Sequence, residues 1–161
     1  MVIPRNTGRH FLITLSIDTV FTENSWTVSS VMTPSFHDTD PMGVVWHGNY
    51  LRVFESVREA LFHAIDYGYQ TMTASGYIWP VVDVKIKYCQ PWMLEEKAKV
   101  TAEIIEHENR LKIRYCIVRL SDGKTLTKSE ITHMAFDIHR KEALFVSPKI
   151  FLEKLKKASQ S

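Results

Sequence analysis

Residues 36–59 read FHDTDPMGVVWHGNYLRVFESVRE, and the fold turns on this stretch. After Phe36, His37–Gly43 is a polar, turn-forming run punctuated by Pro41 and Gly43, the composition of a turn-rich loop. Val44-Val45-Trp46 is apolar, and His47-Gly48-Asn49 leads into a helical pattern. Tyr50, Phe54, Val57, Leu61, Ala64 and Ile65 recur every three or four residues and so share one face. Glu55, Arg58, Glu59 and Asp66 fall mostly on the others, and Gly68 sits near the stop, where helix ends favour glycine. No other segment of the chain gives so long a helical pattern.

Working outward, Trp26 to Phe36 is rich in Val, Thr and aromatics and reads as a strand, with Pro34 marking an edge or bulge. Downstream, Val82, Val84, Ile86 and Tyr88 alternate with Asp83, Lys85 and Lys87. Ala98 to Ile104 and Leu111 to Ile117 alternate in the same way, and Leu126 to Ile138 gives a further strand. Period-two alternation buries one face of an antiparallel sheet and wets the other. The turns agree: His107–Arg110 is polar, and Ser121-Asp122-Gly123-Lys124 holds the Asp-Gly pair of tight hairpins. Pro148 opens a final helix at about Lys149 to Lys157. The order is strand, long helix, four strands in a meander, short helix. A single-striped helix needs a broad apolar surface, so the expected class is α+β, a curved antiparallel sheet wrapped around one long central helix.

At 161 residues the chain has the length of one domain. Its 45% apolar and 24% charged residues place it among globular proteins rather than disordered ones. Residues 1–24 lack a clear period and are expected to form an N-terminal extension of uncertain order, with the domain over 25–161. A net charge of +2, without clustered Lys and Arg, argues against nucleic acid as a partner. The two cysteines, Cys89 and Cys116, fall in strand-like stretches and read as buried small apolar groups in a reducing compartment. No run reaches the length of a transmembrane segment. Arg5 and Arg9 ahead of Phe11–Ile17 loosely imitate a signal peptide, but Asp18 follows at once, so a short strand or docked arm and a cytoplasmic location are expected.

The chemistry-bearing residues lie in the loop and the helix start. Asp40 should sit near the helix N-terminus, where unpaired N–H groups can polarise a carbonyl and hold charge developing on its oxygen. A carboxylate beside them can activate water or attack directly. A thioester suits that equipment, because its thiolate leaves without strong acid help. Asp38 is expected to bond its own turn. His37, Asp38, Asp40 and His47 could in principle hold a metal, but nothing fixes a ligand geometry, so no metal site is expected. Lys85, Lys87, Arg114 and Lys128 read equally as solvated sheet faces or as phosphate contacts.

These residues carry a resemblance. Asp40, Gly43, Val44-Val45-Trp46, His47, Tyr50 and Glu55, with Tyr88-Cys89-Gln90-Pro91 further on, resemble the hotdog-fold thioesterases, specifically the 4-hydroxybenzoyl-CoA thioesterase group and its Tol–Pal-linked acyl-CoA thioesterase relatives. The resemblance covers about residues 26 to 150. It implies Asp40 as catalytic base or nucleophile and the His47 backbone amide as oxyanion donor, the His47 side chain being a further catalytic candidate. Gly43, Tyr50 and Glu55 take supporting or substrate-binding roles, Glu55 by holding the loop or orienting water. It implies hydrolysis of an acyl-CoA or acyl-carrier-protein thioester, with no cofactor beyond coenzyme A as part of the substrate, in a homodimer or homotetramer whose sheets join edge to edge. Trp46 is larger than the usual Tyr or Phe, and with Tyr77 and Trp79 it hints at an aromatic-lined pocket. Two rival readings are a hotdog dehydratase or hydratase using His47 and Glu55, and a non-catalytic acyl-CoA-binding module.

Overall fold

A computed structural model describes residues 17–161. Ten backbone segments build the body: β1 (Ile17–Thr22), β2 (Ser25–Met32), α1 (Tyr50–Ala64), α2 (Tyr69–Ala74), β3 (Tyr77–Ile78), β4 (Val81–Tyr88), β5 (Ala98–Glu106), β6 (Leu111–Arg119), β7 (Thr125–His133) and α3 (Lys149–Ser159). Two short strands, β8 (Phe136–Asp137) and β9 (Glu142–Ala143), join β3 in a small second sheet. The main sheet is antiparallel throughout, in the order β1-β2-β5-β6-β7-β4.

The class is the expected mixed α+β, and α1 lies on one face of the sheet. Its buried residues Tyr50, Val53, Phe54, Val57, Leu61 and Phe62 are the apolar stripe of the sequence. They meet Val28, Val100, Ala102, Ile113 and Ile117, all 0% exposed, and Phe54 stacks on Tyr115 of β6 at 4.6 Å between ring centres. Removing such side chains from water contributes about 1.5–3 kcal/mol each, and this contact holds the helix start in place. The helix is of ordinary rather than great length, 15 residues, with a 3-10 turn over His47–Asn49 directly ahead of it.

Several details differ from the sequence reading, each for a local reason. The strand expected over Trp26–Phe36 stops at Met32, because Ser35 turns the chain by giving its backbone N–H and hydroxyl to Asp38 Oδ2 at 2.6 and 2.9 Å. The four later strands are not a plain meander. Strands β5, β6 and β7 are, but β4 crosses to the far edge beside β7, and β2 takes the place next to β5. Alternation reports which face a residue occupies and is silent about neighbours. Residues 17–22 of the expected extension form the edge strand β1, while residues 1–16 lie outside the described residues. The expected strand over Leu126–Ile138 ends at His133. Gly68 does not stop α1: Asp66 takes the left-handed turn at φ 56°, and Gly68, at φ −61°, caps the unexpected helix α2. Neither cysteine is a buried core group, since Cys89 is exposed and Cys116 half-buried.

Strand β4 departs most from expectation. Val84, Ile86 and Tyr88 stand opposite Ile131, Ser129 and Thr127, on the face that carries α1. Yet Val84 is 41% and Tyr88 48% exposed, because α1 packs mainly over β2 and β5 and meets this edge at its start, where Tyr50 touches Tyr88.

Candidate functional site

The loop before α1 is a small hairpin. Asp40 N–H donates to Val44 C=O at 2.8 Å, Thr39 bridges to Val45, and Val44 bridges to Met93. Gly43 closes the turn at φ 75°, a conformation that costs about 1–2 kcal/mol for a residue with a Cβ. Val45 N–H donates to Trp92 C=O at 2.8 Å and Leu94 N–H to Gly43 C=O at 2.9 Å, tying the hairpin to the segment after β4.

Inside this hairpin Asp40 Oδ1 accepts the Met42 N–H at 2.9 Å and the Val44 N–H at 3.2 Å. Among the described residues Oδ2 accepts no hydrogen bond. One oxygen therefore anchors the carboxylate while the other is left for chemistry. Asp38, two residues earlier, is fully buried and serves the scaffold: its C=O accepts Trp46 N–H at 3.0 Å and Asn49 Nδ2–H at 2.9 Å, clamping both ends of the 3-10 turn.

Asp40, Val44, Val45, His47, Tyr50, Tyr88, Cys89, Gln90 and Pro91 line one cleft of about 310 Å³. The first intrahelical hydrogen bond here runs from Asn49 N–H to Trp46 C=O at 2.9 Å, so the His47 and Gly48 amides lie ahead of it, at the positive end of the helix. Tyr88 holds this end by donating its hydroxyl to His47 C=O at 2.8 Å. Tyr50, 2% exposed, packs edge-on to Tyr88 at 5.0 Å, and burial pushes its hydroxyl pKa up, keeping it neutral.

Of the residues singled out in the sequence, Asp40, His47 and Tyr50 thus meet, and Gly43 shapes the loop beneath them. Glu55 does not: it lies two turns further along α1, about 12 Å from His47 along the axis, and ion-pairs with Arg58 at 2.5 Å. Trp46 and Tyr77 do not line the cleft. The Trp46 ring, half exposed, lies over Gly48 so closely that a Cβ there would come within 2.4 Å of it. Among the described residues no three His, Cys, Asp or Glu side chains are grouped to hold a metal, and no helix is long and apolar enough to cross a membrane.

The sequence reading missed a polar cluster behind α1. His133, fully buried at the end of β7, has Nδ1 3.3 Å from Arg58 Nη1 and 3.2 Å from Trp79 C=O. Burial, with the Arg58 charge adding to it, lowers its pKa to about 4. The unfolded chain binds this proton below about pH 6.5 and the folded one only near 4, so stability is complete above 6.5 and is lost as pH falls through that window. The loss is expected to reach about 3 kcal/mol. Urea unfolding at pH 7, 6 and 5 reads it, and His133→Gln should flatten the curve; equal slopes in the two proteins would contradict the assignment.

Comparison with known proteins gives a consistent picture. The family model described as the Thioesterase-like superfamily matches residues 34–157. A Synechocystis sp. protein provisionally named an esterase is 30% identical over 125 residues, 77% of this chain and 75% of that protein. A Bacillus subtilis protein provisionally named acyl-CoA thioesterase YneP is 30% identical over 102 residues, 63% of this chain and 74% of its own. Among solved structures, the Staphylococcus aureus protein SAV2348, solved in complex with CoA, superposes with a TM-score of 0.74 at 15% identity over 89% of each chain and so shares the fold.

Proposed function

The chain belongs to the Thioesterase-like superfamily, and from that premise we propose that it hydrolyses acyl-CoA thioesters, or acyl groups carried on acyl carrier protein, in the Asp40 cleft. The observation that carries the reading is the meeting of a carboxylate having one unbonded oxygen with the exposed amides that open a helix, both lining one cleft. The thioester carbonyl oxygen points at the His47 amide, which stabilises the negative charge of the tetrahedral intermediate. Asp40 Oδ2 takes a proton from water as the water oxygen bonds to the carbonyl carbon. Collapse breaks the C–S bond, the proton passes to the sulfur, and free acid and thiol leave. Every group used belongs to the chain, the substrate or water. The His47–Glu55 pair that a dehydratase would use is not assembled within the chain, which disfavours that rival.

We extend the proposal to a homodimer through β4. On the outer sheet face Glu103, Arg114, Glu130 and Lys85 stand opposite one another across β5, β6, β7 and β4, a row of alternating sign with Arg114 3.7 Å from Glu103 and 3.3 Å from Glu130. A two-fold axis at Val84 sets Asp83 of a second copy beside Lys85 and continues the alternation. On the inner face it pairs Val82 with Ile86.

The test of activity is a panel of short, medium, long-chain and aromatic acyl-CoAs, with free thiol followed by a disulfide dye. Thiol release from at least one class well above the blank is the expected result. Coenzyme A binding without release from any member would favour a non-catalytic binding module.

A further inference from the structure

Both halves of the Asp40 cleft hang from one stretch of chain, Tyr88 to Leu94. The Asp40 hairpin is tied to it by Val45 N–H on Trp92 C=O at 2.8 Å and by Leu94 N–H on Gly43 C=O at 2.9 Å. The stretch is itself pinned to β7, because Cys89 and Gln90 both donate N–H to Leu126 C=O, at 2.8 and 3.0 Å. The helix end that carries the His47 amide is joined to the same stretch by Tyr88, whose hydroxyl donates to His47 C=O at 2.8 Å. Two peptide planes flank His47. The one that carries its N–H is held by Asn49 N–H on Trp46 C=O at 2.9 Å, and the next is the one Tyr88 holds.

Stability alone does not account for the Tyr88 bond. With the residue half exposed, water can solvate both the hydroxyl and the carbonyl when the bond opens, and such an exchange changes the folding free energy little. The ring is nevertheless aimed. It stands edge-on to Tyr50 with the planes at 78°, and Tyr50 is buried and cannot swing away. Partial burial pushes the Tyr88 pKa above the usual phenol value, so at neutral pH the hydroxyl keeps the proton it donates. Water in its place would solvate the carbonyl without fastening it to β4. A peptide amide stabilises an oxyanion well only when it is already aimed where the charge will appear.

We propose that Tyr88 is a positioning residue for thioester hydrolysis, its hydrogen bond to the His47 carbonyl holding the oxyanion amide in register with Asp40. The role rests on the thioester-hydrolase reading above. Tyr88 neither takes a proton nor stabilises the oxyanion directly; it acts through the turn. Its strand is also the edge along which the second copy is proposed to pair, so pairing steadies the element that carries the tether.

Tyr88→Phe keeps the ring against Tyr50 and removes only the donor. Its kcat is expected to fall about tenfold, the scale of one hydrogen bond. That is less than the ~100-fold or more that follows from deleting an oxyanion donor outright. KM, the thermal midpoint and the sedimentation coefficient should stay close to wild type, because an aimed amide acts on the transition state and not on substrate binding. Replacement of Tyr88 by 3,5-difluorotyrosine separates the donor from the ring. The fluorines acidify the phenol, and a phenolate has no proton to give the carbonyl. The alkaline limb of kcat should therefore move to lower pH in the difluoro protein. Asp40 and His47 of the loop, Tyr50 of α1 and Cys89 beside it line the same cleft and are identical in both proteins, so a limb that moves belongs to residue 88. A Tyr88→Phe protein within about twofold of wild type in kcat, a defect confined to KM, or a limb unmoved by fluorination overturns the positioning role and leaves hydrolysis standing. Absence of thiol release by the wild type from every acyl-CoA overturns the hydrolase reading, and this role with it.

Discussion

Asp40→Asn is expected to lower kcat by about 100- to 10,000-fold, the range that a positioned general base supplies, and to leave KM and the thermal midpoint close to wild type. The substitution is matched to the geometry. Met42 and Val44 donate their N–H groups to Oδ1 alone, and an asparagine offers the same carbonyl oxygen in the same place. What changes is Oδ2, replaced by an amide nitrogen that cannot accept the proton of an attacking water. An alanine would remove the loop's two anchoring bonds together with the base, so its effect would mix scaffold with chemistry. Activity within tenfold of wild type in a folded Asn variant would remove Asp40 from the mechanism. A single turnover in heavy-oxygen water tests for a nucleophile: as base, Asp40 stays unlabelled and the label enters only the acid product, whereas label on Asp40 would show an acyl–aspartyl anhydride opened by water at the aspartyl carbon.

The sequence made this site legible because the site is local. Asp40, His47 and Tyr50 span eleven positions of one loop–helix junction, and their types and spacing dictate both the turn and the helix that follows. The apolar stripe of α1 was equally readable, since its period is set by the helix itself and the core only accepts it. What stayed hidden depends on distant pairing. Arg58 and His133 are 75 positions apart, and an arginine beside an apolar stripe reads as a solvated one. Glu55 looked like a partner of the loop because it follows closely in sequence, but two helical turns carry it away from the loop toward Arg58. The alternation of β4 fixed its faces correctly, yet which strand lies beside it is decided by the connection through buried Trp92, which no period records. Gly68 misled for a related reason: the left-handed turn fell on Asp66, a residue whose short polar side chain tolerates that backbone, and the glycine was spent on starting α2.

The β4 edge supplies the second large expected effect. Val84→Asp should convert a dimer at micromolar concentration into a monomer in sedimentation velocity and reduce kcat/KM together with it. A single chain accommodates the change, because Val84 is 41% exposed and belongs to an edge strand. In the two-fold arrangement the residue faces its own copy across the axis, so the variant sets two carboxylates directly opposite each other on the apolar face. Like charges so placed repel, and they forfeit the burial that the Val82–Ile86 pairs provide on either side. Asp83→Lys is the milder companion. It sets Lys against Lys85 of the second copy at both ends of the pairing and breaks the alternating row begun by Glu103 and Arg114. That row lies on the solvated face, so its contribution is screened, and the Asp83→Lys defect should be smaller than that of Val84→Asp and should deepen as salt is lowered. A Val84→Asp protein that still sediments as the wild type does would place the interface elsewhere on the chain.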